Sequence, residues 1–559
     1  MKPTKRPIIL LAAALALHGC GDPYLTPALE AIDEAGLADI IQTLASDEFE
    51  GRAPASPGEE LTIAYLADAF EALGLEPGNG DSYFQDVPLI EATVRNRPTL
   101  TIRGGTGTTE LAYGSEFIGW TKRVVSRATL RNSGMVFVGY GVVAPEYQWD
   151  DYAGIDARGK TVVILVNDPG FATQDEALFT GNAMTYYGRW TYKYEEAARQ
   201  GAVGAIVVHQ TEPAGYPWEV VEGSWAVPQF DLVAEDNNMS RVAVEAWMTD
   251  EASRSVFAQA GLDFDELKAR AATRDFQAVS MGLTASTTLQ NDATQSTSKN
   301  VVAVLPGSDR ADEYVIYMAH WDHLGRNTDL EGDNIYNGAF DNATGVAGLV
   351  ELAEAFATLE ERPSRSILFL AVTAEEKGLL GSAYYARNPL YPRTKTVAAI
   401  NMDGLNADGR MNDITVVGYG ASELDDYLEA AASAQGRVVR ADPEPEKGYY
   451  YRSDHFSFAK EGIPALYADA GIDHVEHGEA WTLERRADYT ANRYHKPTDE
   501  YDPSWDLSGA VDDLRLLFNI GLRLGNETSF PNWRAGSEFR ARRDEEMASE
   551  GGVEMGTSR

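Results

Sequence analysis

The chain has 559 residues, 44% of them apolar, which is enough for two or three packed units and too polar overall for a bundle of membrane spans. A formal net charge of −39 excludes a surface that tracks nucleic acid, because phosphate contacts need clustered Lys and Arg. Cys20 is the only cysteine, which rules out an intramolecular disulfide, a thiolate zinc site and a CxxC redox pair, so any metal must use His, Asp and Glu.

Lys2, Lys5 and Arg6 precede an apolar run over 8–17 that is too short to span a bilayer and has the form of a secretory signal. Residues 1–19 are expected to be removed. The stretch "LHGC" sets Gly19 before Cys20 and resembles the lipobox at which bacterial lipoproteins are cleaved and acylated. Export to the periplasm or cell envelope is therefore expected, with membrane contact only through a lipid anchor on Cys20. The alternative is ordinary cleavage that leaves an unmodified thiol.

Further along, Ser56-Pro57 and Gly74 bracket apolar positions Leu61, Ile63, Leu66, Phe70 and Leu73 at helical spacing, which predicts an amphipathic helix. Residues 23–133 read as the N-terminal part of the main domain. From Gly134 the chain has short apolar and β-branched runs separated by Gly, Pro and Asp, which predict a β-rich unit over 134–285. Within it we expect a helix near 192–200, a strand at 205–209, and irregular polar sequence on to about 298. The Ser/Thr-rich patch at 286–298 reads as a linker.

Over 298–525 strands and helices alternate. Two strands in 300–320 are joined by Pro306-Gly307, and a helix at 343–359, a strand at 366–372, a helix at 379–387, a strand at 397–403 and a closing helix at 505–525 follow. That rhythm predicts an α/β fold with a mostly parallel sheet sandwiched by helices. Residues 526–559 read as a charged, loosely packed tail.

Ligands of an open parallel sheet bind beyond the carboxyl ends of its strands, and this chain keeps its unusual polar residues there. They are His320 in "MAHWDHLG", Asp341 in "FDNATG", Glu375 and Glu376 in "TAEEKG", Asp403 in "NMDG" and His495 in "RYHKPTDEYD". Alone, Asp341 reads as a helix N-cap and either histidine as a hydrogen-bonded core or surface residue. Together they are hard to explain without cations, because several buried carboxylates repel one another. Two zinc ions would compensate them, with Asp341 giving one oxygen to each of two metals about 3.5–4 Å apart. The excess positive charge would favour a hydroxide between the metals.

On an extended segment successive side chains point to opposite sides, so Glu376 would reach a metal while Glu375 faces the crevice and moves protons. By the same rule Asp322 would accept the second ring N–H of His320, and His323 would turn away as a structural residue.

The order His-x-Asp, Asp, Glu-Glu, Asp, His, with "GLLGS" and "RYHKPTDEYD", resembles the co-catalytic di-zinc aminopeptidases of metallopeptidase family 28, which include bacterial leucyl aminopeptidases and glutamate carboxypeptidase II. The resemblance implies that His320, Asp341 and Asp403 hold one zinc and Asp341, Glu376 and His495 the other, with Glu375 as general base and then acid. It also implies an oxyanion-stabilising tyrosine in "YYYRSDHFSF", where alignment on Ser453-Asp454-His455 selects Tyr450, and a protease-associated domain in 134–285. The activity implied is aminopeptidase action on peptides. The alternatives are a glutamate carboxypeptidase-like enzyme, a single-zinc glutaminyl cyclase-like enzyme, or a non-catalytic binding protein that uses the protease-associated domain.

Overall fold

The computed structural model describes residues 24–225, 228–328 and 330–554. The expected signal and Cys20 lie outside them. Among the described residues no helix is long and apolar enough to cross a membrane.

One strand, Val279–Leu305, runs through two sheets. Its first half pairs antiparallel with Arg127–Phe137 and Leu100–Gly104, and its second half with Phe84–Val94 and then Arg365–Val372. The expected linker at 286–298 is thus the middle of a strand. Leu283, Ala285, Thr287 and Leu289 are buried while their neighbours are not, a period of two that the polar composition disguises. Threonine's branched Cβ suits such a half-buried strand.

In the first sheet Arg310–His320 lies between Arg365–Val372 and Thr396–Asn401, parallel to both, and Ala465–Ala470 continues the parallel run. Alternate residues face opposite helix layers. Val315, Tyr317 and Ala319 pack with residues of the helices Thr344–Thr358 and Ser508–Asn526, whereas Ile316 and Met318 pack with Tyr385 of Leu380–Arg387 and Phe458 of His455–Lys460. Arg365–Val372 is buried at every position, the pattern of a strand covered on both faces. The expected amphipathic helix is Pro57–Ala72. Ser56 caps it by accepting the Glu59 N–H, and Ile63, Leu66 and Phe70 face inward while Leu61 lies outside.

The second sheet has a parallel centre of Arg127–Phe137, Thr161–Leu165, Gly204–His209 and Val244–Thr249, with Phe117–Trp120 antiparallel on its edge. Leu100–Gly104 and Phe117–Trp120 belong to it, so this unit begins well before 134. The stretch expected to be irregular holds the strands Gln229–Leu232 and Val244–Thr249 and the helices Asp250–Gln259 and Phe264–Ala271. Thr249 and Asp263 cap those helices, a signal that their charged outer faces outweighed in the sequence.

The C-terminal segment is also docked, not loose. Trp533 is fully buried and donates its indole N–H to the Gly462 carbonyl at 2.9 Å, and the buried Arg543 guanidinium donates to the Arg393 and Thr396 carbonyls. Two anchors in a charged stretch suffice. Trp533→Ala is expected to lower stability by about 3–5 kcal/mol and to expose the helix Arg540–Glu554 to protease. Denaturant titration with limited proteolysis checks this, and wild-type resistance would contradict the docking.

Candidate active site

The parallel strands stop side by side and polar residues follow each stop. Arg310–His320 ends in His320, Arg365–Val372 leads to Glu375 and Glu376, and Thr396–Asn401 leads to Asp403. Asp341 lies in the turn Ala339–Ala343 before the helix Thr344–Thr358, and His495 follows the helix Glu479–Asn492.

These side chains converge. His320 Nε2 lies 3.2 Å from Asp403 Oδ1 and 3.3 Å from Asp341 Oδ1, while His495 Nε2 lies 3.3 Å from Asp341 Oδ2 and 3.0 Å from Glu376 Oε2. Asp341 thus turns one oxygen to each histidine. His320, Asp341 and Asp403 each bring a ligand atom within 4.8 Å of the others, and so do His323, Asp341 and Glu376.

The electrostatics are those of crowded acids. Burial, opposed by His320 but reinforced by Glu376 and Asp403, pushes Glu375 well above the usual carboxylate range. Burial would raise Asp341 too, but hydrogen bonds from His320 and His495 hold it well below that range. His320 is raised against the effect of burial by Asp403 and Glu375. Carboxylates and imidazoles packed this closely fit divalent cations such as zinc, which would take over the compensation that the histidine protons provide alone.

Residues 300–518 match the family model of peptidase family M28. A protein of Pyricularia oryzae named probable zinc metalloprotease is 42% identical over 113 residues, which are 20% of this chain and 20% of that one. Leupeptin-inactivating enzyme 1 of Streptomyces exfoliatus is 29% identical over 192 residues, 34% of this chain and 40% of the relative. The chain therefore spans well under half the length of the curated relatives it matches. The solved aminopeptidase from Aneurinibacillus sp. strain AM-1 aligns with 21% identity and a TM-score of 0.49, over 90% of this chain and 97% of that one.

Several M28-segment residues sit differently from the expectation. His320 Nδ1 donates to the backbone carbonyl of Asp322 at 3.1 Å, not to its carboxylate, which is 3.9 Å away. Asp322 Oδ1 instead accepts the backbone N–H of Glu375 at 3.0 Å and so ties the glutamate pair to the histidine strand. His323 does not turn away. The strand ends at His320, so alternation stops there, and the buried His323 places Nδ1 2.6 Å from Glu376 Oε1. Nor is the glutamate segment extended: Ala374 has φ +54°, the Gly378 N–H bonds the Glu375 carbonyl at 2.8 Å, and both carboxylates line one cavity.

Tyr450 is the largest departure. Its ring packs against Gly418, His455 and Phe539, and its hydroxyl is buried without a hydrogen-bond partner. It does not line the cavity that contains Glu375. The tyrosines at the site are Tyr467, which donates to the Asp403 carbonyl at 3.1 Å, and Tyr494, stacked on His495 with ring centroids 3.9 Å apart. A run of three tyrosines gave no means of telling which ring would pack inward.

Four supporting residues carry no sequence signal that marks them. Asp499 accepts the backbone N–H groups of Phe340 and Asp341, both at 3.1 Å. Asn342 accepts from Gly404 N–H at 2.9 Å and donates to the Met402 carbonyl at 3.0 Å, joining the Asp341 and Asp403 loops. Ser453 donates to Asp403 Oδ2. The buried Arg52 guanidinium donates to the carbonyls of Trp321, Leu44, Asn337 and Gly338, bracing the loops on either side of His320 and Asp341.

Both histidines lie on Glu376, His323 Nδ1 on Oε1 and His495 Nε2 on Oε2, and His495 Nε2 is also 3.3 Å from Asp341 Oδ2, which favours His495 as the direct donor. His323→Ala is expected to weaken zinc binding about 10–100-fold and His495→Ala to weaken it more. Zinc affinity measured against a competing chelator checks the order, and an equal or larger loss in His323→Ala would reverse it.

Proposed function

We propose that this chain is a zinc-dependent exopeptidase that releases residues from the amino end of peptides. The observation that carries this reading is Asp341, which offers one carboxylate oxygen to the His320–Asp403 pair and the other to the His495–Glu376 pair, with Glu375 beside both. The names of the matched relatives, a zinc metalloprotease and a leupeptin-inactivating enzyme, support peptide chemistry.

His320, Asp341 and Asp403 would hold one zinc, and Asp341, Glu376 and His495 the other. Zinc in such a site supplies Lewis acidity to the scissile carbonyl and makes water nucleophilic near neutral pH. Glu375 takes the proton of the attacking water at its carboxylate and delivers it to the departing amine nitrogen. Asp322 holds the Glu375 backbone during this exchange, and His323 fixes one oxygen of Glu376 so that the other stays on the metal side. The second unit is read as the protease-associated insertion and walls the cavity opposite Glu375. Export and anchoring through Cys20 complete the proposal.

Glu375→Gln is expected to keep its zinc and lose turnover by roughly 100–10,000-fold, the range of general acid–base catalysis. Turnover near wild type would remove Glu375 from the mechanism. Hydrolysis of peptides with free amino termini, lost on N-acetylation and on chelation and regained with zinc, is the second expectation. Cleavage that survives chelation, or that prefers the N-acetylated peptide, would contradict an amino-terminal zinc enzyme.

A further inference from the structure

A cavity of about 500 Å³ opens in front of Glu375 and Glu376, with the second unit as its far wall. This volume is in the range that encloses a small-molecule-sized ligand, so a short peptide fits. The units are tied across it by Lys460 and Glu195, 2.8 Å apart, and by Tyr186 packed on Phe456 and Tyr451.

Two acids of the wall have cationic partners. Glu195 has Lys460, and Asp231 has Arg241 at 2.9 Å and Lys122 at 3.5 Å. Three cations of the cavity do not. Among the described residues, the side chains of Arg189, Lys377 and Arg452 have neither a carboxylate at ion-pair distance nor a hydrogen-bond acceptor. Arg189 Nε is sealed from solvent with nothing to donate to. The Lys377 ammonium rests 5.6 Å over the Phe230 ring, and the Arg452 guanidinium 5.5 Å from the Tyr449 ring.

In a chain with 86 acidic and 47 basic side chains, these three cations without an ion pair share one cavity. Burial, with Arg452 close by, pushes Arg189 down to about 10, so it stays charged at neutral pH beside a like charge. Like charges lining one cavity favour entry of an anion. A guanidinium matches a carboxylate in a two-point fork, which an inorganic cation or an amine does not.

We propose that Arg189, Arg452 and Lys377 form an anion subsite that receives a carboxylate of the substrate, so that the protein selects short peptides bearing a negative charge near the scissile bond. The inference rests on the exopeptidase reading and narrows its substrate class. Arg189 comes from the second unit and Arg452 and Lys377 from the M28 segment, so the selectivity belongs to neither alone. The carboxylate has two possible sources, the free C-terminus of a short peptide or an acidic side chain.

The test uses the zinc-loaded full chain and three peptides: Leu-Ala-Ala, its C-terminal amide, and Leu-Ala-Asp amide. Wild type is expected to show kcat/KM at least about tenfold higher for a charged peptide than for the neutral amide, as one charge-assisted hydrogen bond would give. A preference for the free acid assigns the subsite to the terminus, and a preference for the aspartyl amide assigns it to a side chain. Arg189→Gln and Arg452→Gln should each cut the charged-to-neutral ratio about tenfold, and Arg189→Lys should restore part of it. Because ratios are taken within one preparation, loss of folded protein cancels. Equal kcat/KM for all three peptides, or a ratio unchanged in both glutamine variants, would overturn the subsite. If no peptide is hydrolysed the exopeptidase reading fails, and calorimetry with N-acetyl-Ala-Ala and its amide then decides. Tighter binding of the acid that is lost in Arg189→Gln supports the subsite on its own, and equal binding overturns it.

Discussion

Mutual repulsion among carboxylates at the ends of parallel strands is the constraint on which this structure turns. Asp341, Glu375, Glu376 and Asp403 share one crevice with His320 and His495, and only positive charge placed among them makes that arrangement stable. The rest of the domain holds these groups at distances they would not choose. Strands buried on both faces fix His320, the glutamate turn and Asp403 in line, while Asp499, Asn342 and Arg52 pin the intervening loops through backbone groups.

The supporting bonds are mostly side chain to backbone, which explains why they rigidify without competing for a cation. Asp499 spends both oxygens on amide N–H groups, and Arg52 spends its donors on four carbonyls. Burial pushes Arg52 down to about 10, opposed by Asp499 and Asp322, so it remains a cation behind the acidic cluster. The site is therefore backed by one permanent positive charge, while three cations without an acid partner line the cavity in front.

How much of this was legible in the sequence follows from the range of the forces involved. The helix Pro57–Ala72 and the strand Arg365–Val372 are written in local periodicity and were readable, as was the placement of polar residues at strand ends. Local rules failed where a neighbour distant in the chain decides the outcome. The strand Val279–Leu305 is polar in its middle because 281–291 is covered on one side only and 292–297 on neither, and Trp533 anchors a charged tail through one indole. Alternation of side chains predicted His323 wrongly because it holds only while the backbone stays extended, and His323 lies past the end of the strand. Arg52, Asp499 and Arg189 act through residues more than a hundred positions away or on another unit, and no local pattern marks them.

The proposed pair of zinc ions would share Asp341. Native mass spectrometry during zinc titration of the metal-free chain tests this most directly. The account predicts saturation at two zinc ions per chain, with Asp341→Ala unable to hold the pair. Saturation at one ion, or an Asp341→Ala variant that still takes up two, would contradict it.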